Sequence, residues 1–286
     1  MYNLIFLIFF NCLITFFLIK YFIKITHKTK FIDNKNPHYS NNAVPTGGGI
    51  IFLIVFTLNI IFLFIFDKEF FLFLPNKYYL FFLCLIFLVV ISFIDDYKNL
   101  DPILRLISQI FLIYLSITAI PLSLIELPQK LVFLLAVISW IYIMNIHNFI
   151  DGSDGMLSLT CVFFFLNSIL INFYTGKTDF SYYLSFIILP ILVIFLIFNK
   201  PKAKIFMGDA GSIFLGFIIG YVVLDLFVKG YWYYSISLII YPLVDCTITL
   251  IKKVRKGYMP WKGLYDYYFL IPVIRNKCNH LNVLII

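Results

Sequence analysis

The stretch Asn145-Ile146-His147-Asn148-Phe149-Ile150-Asp151-Gly152-Ser153-Asp154-Gly155 places two amides, two carboxylates, two glycines and a histidine between long apolar runs. Polar groups this close to hydrocarbon are costly and usually carry a function. The glycines permit a tight turn whose N–H groups can approach an anion. Asp151 and Asp154 share one side of a helix or turn because they are three residues apart. An Asx-type turn between two helices would explain the same residues without a ligand.

The composition around this stretch is that of an integral membrane protein. Of the 286 residues, 62% are hydrophobic and only 13% are charged, and the mean hydropathy is +0.98. The apolar stretches are long enough to span a bilayer, so we predict an all-α, polytopic transmembrane helix bundle with about nine spans. The predicted spans are residues 3–23, 47–66, 78–95, 103–121, 130–147, 155–173, 181–198, 212–228 and 231–251. No linker or repeat interrupts them, so residues 1–286 are predicted to form a single membrane domain.

The basic residues of the chain alternate between its loops. Seventeen of the 22 Lys and Arg residues fall in the opening loop, the third and seventh interhelical connections and their flanks, and the tail beyond residue 251. Loops rich in Lys and Arg stay in the cytoplasm, so the N-terminus is predicted outside and the C-terminus inside. The five cysteines have no metal or redox spacing, and a basic total without a binding motif indicates no nucleic-acid partner.

The polar clusters follow the same partition as the charges. Residues 45–49, Asp95-Asp96, the Asn145–Gly155 stretch and residues 206–212 all fall on the predicted cytoplasmic side, whereas the outer loops hold common turn residues. Independent structural turns would have no reason to segregate in this way. The asymmetry therefore favours a functional interpretation of all four clusters.

Asp95 and Asp96 are adjacent carboxylates at the end of the third predicted span. Such a pair repels, and burial raises its pKa values further. A bound cation would relieve this, and Mg²⁺ uses one or two protein carboxylates while leaving room for substrate phosphates. Metal binding, or a base near a phosphate, is one interpretation. A solvated helix end with Lys98 as the ionic partner is the other.

Asp209 lies between glycines just before the eighth predicted span. Ser212 is predicted to be the N-cap of that span, whose free N–H groups and dipole would attract a phosphate. A carboxylate here suits a phosphate-bound metal, although capping alone remains an alternative.

Three further features are less specific. Gly47-Gly48-Gly49 is a poor helix-forming run that suits either a close backbone approach or a flexible turn. Asp245, inside the ninth span, should face the bundle interior and have a partner, in a functional or a purely structural role. The basic tail after residue 251 suits either anionic lipid headgroups or a diphosphate.

In this order, the motifs resemble the polyprenyl-phosphate N-acetylhexosamine-1-phosphate transferases, glycosyltransferase family 4, over nearly the whole chain. That family includes the enzyme that makes the first lipid-linked peptidoglycan precursor and the enzymes that initiate O-antigen and teichoic acid synthesis. The resemblance implies transfer of N-acetylhexosamine 1-phosphate from a UDP-sugar, such as UDP-N-acetylglucosamine, to undecaprenyl phosphate, with release of UMP. It implies a multi-pass protein of the bacterial inner membrane whose active site faces the cytoplasm.

The resemblance also implies roles for particular residues. Asp209 would be the principal Mg²⁺ ligand, and Asp95 and Asp96 would be catalytic residues beside the metal. The nucleotide site would be lined by Asn148, Asp151 and Asp154, with Phe206 packing on the uracil. To these we add Lys98 as a phosphate contact. The implied partners are a UDP-N-acetylhexosamine, undecaprenyl phosphate and membrane lipids, and a homodimer is left open.

The chain departs from the family pattern after the ninth span. Family members usually carry a histidine-bearing motif there. Arg255-Lys256-Gly257 and Pro260-Trp261-Lys262-Gly263 match its approach, and the Trp favours the O-antigen-type branch, but residues 264–270 contain no histidine. The C-terminal end is also expected to be shorter than in the family. Tyr267, Lys262 or Arg275 could take over the histidine's role.

Two alternatives to an active transferase stay open. A catalytically impaired homologue would keep the metal motifs and have an altered distal loop. A lipid or nucleotide-sugar transporter would show internal repeats and polar residues at mid-membrane, and the surface clustering counts against it.

Overall fold

Nine α-helices, joined mostly by short connections, make up the part of the chain that the structure describes. The structure is a computed structural model, and it describes residues 2–26, 32–33, 44–66, 77–176, 179–259 and 267–271. The helices are α1 Tyr2–Thr26, α2 Gly49–Phe66, α3 Lys77–Lys98, α4 Pro102–Ser116, α5 Gln129–Ile150, α6 Met156–Tyr174, α7 Phe180–Asn199, α8 Gly208–Val228 and α9 Trp232–Arg255. Two 3₁₀ turns, Ile117–Ala119 and Leu122–Leu124, follow α4.

The predicted all-α membrane bundle is confirmed. Eight of the described helices are long and apolar enough to cross a membrane by length and composition, and α2 contributes a shorter apolar helix. A helix rises 1.5 Å per residue, so about 20 residues span the hydrocarbon core. The N-terminus-outside orientation stays a prediction.

A small strand pair in the α1–α2 connection is an addition that the sequence did not reveal. Strand β1 (Ile32–Asp33) pairs antiparallel with β2 (Val44–Pro45), with Ile32 opposite Pro45. The Pro45 carbonyl then accepts a hydrogen bond of 2.8 Å from the backbone N–H of Phe206. The connection is thereby tied to the loop between α7 and α8.

Helix α8 is the centre of the bundle. Almost every side chain along it is buried, as expected for a helix that is apolar on all sides. Trp140 of α5, itself fully buried, donates its indole N–H to the Phe217 carbonyl at 2.9 Å. Its ring also packs on Phe217, with centroids 5.0 Å apart. The middle of α8 is therefore anchored to α5.

The two ends of the bundle carry different polar groups. One end joins the last turns of α3 and α5 to the first turn of α8, through contacts described below. At the other end, the ammonium of Lys229 forms ion pairs with Asp179, which caps α7, and with Asp225 of α8. Asp225 is almost completely buried, so this charge network clamps α7 to the end of α8 at the face opposite the clustered motifs.

Candidate active site

The turn between α3 and α4 is built by two aspartates. Asp101 caps α4 by accepting a hydrogen bond of 2.7 Å from the backbone N–H of Ile103, and Pro102 occupies the first helical position, where a missing N–H costs nothing. Oxygen Oδ1 of Asp95 accepts the N–H of Leu100 at 2.6 Å. The other oxygen of Asp95, Oδ2, pairs with Arg105.

Arg105, in the first turn of α4, joins two of the predicted site residues. Its Nη1 lies 2.5 Å from Oδ2 of Asp95 and 2.9 Å from Oδ2 of Asp209. The Asp95 side chain is only 6% exposed, whereas Arg105 and Asp209 are each about one third exposed. One guanidinium against two carboxylates leaves the group with a net negative charge. The ionic partner of Asp95 is thus Arg105, and Lys98 is exposed at the end of α3.

Asp96 performs a different task from its neighbour. Its carboxylate accepts the backbone N–H groups of Asp209 and Ala210, at 2.8 and 3.2 Å, and so caps α8 from outside the helix. Gly208 makes this contact feasible. It adopts a φ of +73°, and a Cβ at this position would lie 2.7 Å from Oδ2 of Asp96, so no other residue fits without displacement.

Two expectations about the start of α8 are wrong. The helix begins at Gly208, and Ser212 lies inside it with its hydroxyl donating to the Gly208 carbonyl at 3.2 Å. Ser212 is therefore not the N-cap. The first N–H groups are also not free for a phosphate, since Asp96 already accepts two of them. The sequence did not indicate that a carboxylate from another helix would occupy this position.

The glycine run at the start of α2 makes a close backbone approach, which is one of the two alternatives that its composition allowed. A Cβ on Gly49 would lie 2.0 Å from the backbone nitrogen of Gly211, so the two backbones touch. The N–H groups of Gly48 and Gly49 donate to the carbonyls of Phe206 and Met207, at 3.0 and 2.9 Å. This backbone ladder fixes the segment that carries Phe206, whose side chain is half-buried.

The Asn145–Gly155 stretch spans the end of α5 and the turn into α6. Asn148 lines a small cavity together with Asp95, Arg105 and Asp209. Asp151 follows as the residue that ends α5. Burial, reinforced by the negative charges of Asp209, Asp96 and Asp154, raises the pKa of the Asp151 carboxyl well above its usual range. Asp151 therefore lies within electrostatic range of Asp96 and Asp209.

Asp154 and His147 have partners that give them structural roles. Oxygen Oδ2 of buried Asp154 accepts the backbone N–H groups of Lys202 and Ala203, at 3.1 and 3.2 Å. It thereby anchors the loop that leads to Phe206. His147 is also buried, and its Nδ1 lies 2.7 Å from the Ile143 carbonyl one turn earlier in α5. That bond gives His147 a structural role within α5.

An apolar groove of about 390 Å³ runs between α4, α5 and α9 and ends beside Arg105, the residue that pairs with Asp95 and Asp209. Its walls include Leu106, Ile138, Ile141 and Leu250, and its polar end is formed by residues that include Arg105, Gln109, Asn145 and Asn148. Arg105, Gln109 and Asn148 also line the small cavity beside Asp95 and Asp209. A long apolar ligand in the groove could therefore present a charged end to the carboxylates of Asp95 and Asp209, which we call the carboxylate cluster.

Arg105 and Gln109 are site residues that the sequence reasoning missed. Arg105 was counted only as a loop charge for topology. Both interrupt an apolar helix at a spacing of four residues, which places them on one face, and polar residues within a span are usually functional. That spacing was the available signal. Gln109 is held in place by the amide of Asn145, which donates to its Oε1 at 2.9 Å.

The tail after α9 is described only in part. Tyr267 is buried and its ring stacks on Phe149, with centroids 6.2 Å apart, and burial raises the pKa of its hydroxyl. These contacts place Tyr267 in an apolar cluster at the site's edge. Lys262, Arg275, Pro260-Trp261 and residues 264–266 of the histidine-free stretch lie outside the described residues.

Comparison with known proteins gives this arrangement a family. The sequence profile of glycosyl transferase family 4 matches residues 78–227. This chain belongs to glycosyl transferase family 4. The matched range runs from the start of α3 to the end of α8, so it contains Asp95, Asp96, Arg105, the Asn145–Gly155 stretch and Asp209.

Individual family members are similar over most of the chain. A phospho-N-acetylmuramoyl-pentapeptide-transferase of Petrotoga mobilis is 30% identical over 272 residues, which cover 85% of this chain and 79% of the relative. One of Staphylococcus carnosus is 28% identical over 238 residues, which cover 73% of this chain and 72% of the relative. One of Listeria monocytogenes is 30% identical over 221 residues, covering 68% and 66%. The family expected from the motifs is confirmed.

Proposed function

We propose that this family 4 member transfers an N-acetylhexosamine 1-phosphate from a UDP-sugar to undecaprenyl phosphate, releasing UMP, and so begins a cell-envelope polysaccharide. The observation that carries the proposal is the junction of the carboxylate cluster with the polar end of an apolar groove. A soluble nucleotide-sugar and a membrane-embedded lipid phosphate can meet only at such a junction. We further propose that this junction lies at the cytoplasmic face of the bacterial plasma membrane, an orientation that the positive-inside rule favours.

The groove supports a polyprenyl acceptor. Its apolar walls suit a hydrocarbon chain, and Arg105 at its polar end suits a terminal phosphate because a guanidinium binds phosphate oxygens in a bidentate manner. The acceptor phosphate would then lie beside the buried carboxylate of Asp95. There, Asp95 would orient the acceptor phosphate or remove its proton.

The donor set fits Mg²⁺. The Oδ2 atoms of Asp95 and Asp209 converge on one cationic atom, Nη1 of Arg105. The described residues contain no group of three His, Cys, Asp or Glu side chains that could hold a metal ion. Mg²⁺ commonly binds through only one or two protein carboxylates and completes its coordination shell with water and phosphate oxygens. When bound, Mg²⁺ would neutralise charge on the diphosphate oxygens. Asp209 is its proposed principal ligand.

The chemistry needs positioning and charge neutralisation more than a protein nucleophile. An oxygen of the acceptor phosphate would attack the sugar-linked phosphorus of the UDP-sugar. The bond from that phosphorus to the bridging oxygen would break, and UMP would leave with that oxygen. Asn148 and Asp151 would bind the donor. Asp154 would hold the loop that carries Phe206 against the uracil, and Lys98 would contact phosphate from the rim.

Two observations bear on the donor sugar. The relatives named above are phospho-N-acetylmuramoyl-pentapeptide-transferases, which favours UDP-N-acetylmuramoyl-pentapeptide as the donor. The Trp261 approach to the distal loop instead resembles the O-antigen-type branch, which favours UDP-N-acetylglucosamine and lipopolysaccharide synthesis. Both donors suit the same phosphoryl transfer. We therefore propose the reaction, and the UMP-release assay described next distinguishes the two donors.

UMP release tests the proposal. Purified protein would receive undecaprenyl phosphate, Mg²⁺ and each UDP-sugar in turn, with Asp209→Asn as the control. Release that needs lipid, Mg²⁺ and Asp209 would establish the reaction. Stoichiometric release without lipid would instead indicate a covalent intermediate, for which Asp95 is the candidate. Folded protein that binds UDP-sugar without releasing UMP would be an impaired homologue, and sugar uptake into proteoliposomes without UMP release would indicate a transporter.

A further inference from the structure

A short segment beyond α9 returns to the site end of the bundle. Residues 267–271 form one helical turn, in which the N–H groups of Leu270 and Ile271 donate to the Tyr267 carbonyl at 2.9 and 3.0 Å. Tyr267, Phe269 and Leu270 are almost completely buried. They belong to a small apolar cluster, separate from the main core, that also contains Ile146, Ile150, Met156 and Cys246. We call residues 267–271 the return turn.

Asp245, in the middle of α9, holds the return turn in place. Its Oδ1 accepts the backbone N–H of Tyr268 at 3.0 Å, and its Oδ2 accepts that of Phe269 at 3.3 Å. These are first-turn N–H groups of the kind that an N-cap carboxylate satisfies. The Asp245 side chain is 6% exposed. A buried acid within a span needs such partners, and here they come from a segment more than twenty residues further along the chain.

The return turn in turn contacts the loop that carries Asp151. Leu270 Cδ1 lies 3.0 Å from where a Cβ on Gly152 would be, and the Phe149 and Tyr267 rings stack. Phe149 and Gly152, which flank Asp151 in sequence, therefore both contact the return turn.

Helix α9 is itself fixed to α5, so Asp245 has a firm base. The Tyr142 hydroxyl and Oγ1 of Thr247 lie 2.6 Å apart, and the Cys246 thiol donates to the Ile146 carbonyl at 3.6 Å. The flanks of Asp245 are thus joined to the same helix whose end carries the site residues. Because α9 is anchored to α5, Asp245 has a fixed position from which it can hold the return turn.

We propose that Asp245 is a positioning residue. By capping the return turn it holds Leu270 and Tyr267 against residues 149–152, and this support fixes the Asp151 carboxylate relative to Asp96 and Asp209. The proposal rests on the proposed function only in taking Asp151 as part of the nucleotide-sugar site. The physical coupling from Asp245 to the loop is independent of which substrate is used.

The coupling can be tested without any substrate. Leu270→Cys in a Cys278→Ser background places a thiol in the buried cluster, and peptide mass spectrometry measures maleimide labelling at position 270. Asp245→Ala should raise the labelling rate by at least roughly tenfold, because the hydrogen bonds to a charged group are lost. Asp245→Asn keeps one acceptor oxygen and should give an intermediate rate. Unchanged labelling in Asp245→Ala would overturn the proposal.

A matched control separates positioning from general damage to α9. Ile239 lies on the same helix and is 3% exposed, but it packs in the main core and not against the return turn. Ile239→Ala should lower the melting temperature while leaving labelling at position 270 slow. Equal acceleration by Ile239→Ala would mean that labelling reports loosening of the helix, and the proposal would fail.

Binding of UMP links the coupling to the site. In otherwise native protein, Asp245→Ala should weaken UMP binding about tenfold, and Leu270→Ala, which leaves the cap intact, should weaken it as well. Ile239→Ala should not. Faster labelling with unchanged UMP affinity would refute the positioning role. If the unaltered protein binds no UMP, the proposed function fails, while the labelling experiment still decides whether Asp245 holds the return turn.

Discussion

The carboxylate of Asp96 accepts a hydrogen bond of 2.8 Å from the backbone N–H of Asp209, 113 residues away in sequence. One proposed catalytic acid thus fixes the backbone of the proposed metal ligand. A carboxylate at a helix start is stabilised both by the free N–H groups and by the helix dipole. The adjacent acids Asp95 and Asp96 therefore have distinct tasks, since Asp95 pairs with Arg105 and Asp96 builds the start of α8.

Asp96→Ala should destabilise the protein, because α8 loses its cap at the centre of the bundle. The expected cost is about 1 kcal/mol in the free energy of unfolding, typical of a lost N-cap. Thermal unfolding in detergent measures it. Asp96→Asn, which retains one acceptor oxygen, should cost less, and equal melting temperatures for Asp96→Ala and the unaltered protein would contradict the capping role.

Asp209→Asn should abolish metal binding while leaving the fold intact. The substitution removes a charge that faces Arg105 but keeps the backbone N–H that Asp96 accepts. Mn²⁺ affinity, measured by electron paramagnetic resonance, should fall at least roughly 100-fold, since even changes outside the ligand shell cost about 10- to 100-fold. An unchanged Mn²⁺ affinity would remove Asp209 from the metal site.

Arg105→Ala should make stability depend on divalent cations. Without the guanidinium, the buried carboxylate of Asp95 and the partly exposed carboxylate of Asp209 lose their cationic partner, at a cost of roughly 1–3 kcal/mol. Added Mg²⁺ should restore part of the lost melting temperature by mass action, with a larger shift than in the unaltered protein. Lys98→Ala, an exposed neighbour, serves as the control and should not change melting. If Mg²⁺ raised the melting temperature equally in Arg105→Ala and in the unaltered protein, the guanidinium of Arg105 and Mg²⁺ would not share one cation position.

Asp154→Ala should loosen the loop between α7 and α8, because the N–H groups of Lys202 and Ala203 lose their acceptor. Limited trypsin digestion reports this directly, since Lys200, Lys202 and Lys204 provide cleavage sites in that loop. Cleavage there should accelerate and UDP-sugar affinity should fall. Asp154→Asn keeps one acceptor oxygen and should resemble the unaltered protein more closely. Unchanged digestion and affinity would show that the loop needs no such anchor.

Membrane orientation can be read from two exposed positions at opposite ends of the bundle. Met259 follows α9 at the site end, whereas Tyr174 ends α6 at the other. If the site end is cytoplasmic, a membrane-impermeant maleimide applied to intact cells should label Tyr174→Cys but not Met259→Cys, and both should label after lysis. The reverse pattern would overturn the predicted topology.

Much of the fold was accessible from local patterns. Each predicted span overlaps a described helix, from residues 3–23 within α1 to residues 231–251 over α9. Gly47–Gly49 suited either a close backbone approach or a flexible turn, and the structure shows the first, since Gly49 touches Gly211. The start of α8 was misplaced because Ser212 resembles a cap in sequence, while the group that caps the helix is the carboxylate of Asp96 from α3.

By itself, the sequence determined that this is a polytopic helical membrane protein with its polar motifs at one end, because hydropathy, span length and loop charge are properties of contiguous residues. The family also followed from motifs that are each contiguous. Only the tertiary structure decided that Arg105 joins Asp95 to Asp209, which lies 104 residues after Arg105, and that Asp245 holds the return turn. Such pairings depend on how the helices pack. Packing brings distant polar groups together where water cannot reach them, so these groups must satisfy one another's hydrogen bonds and charges.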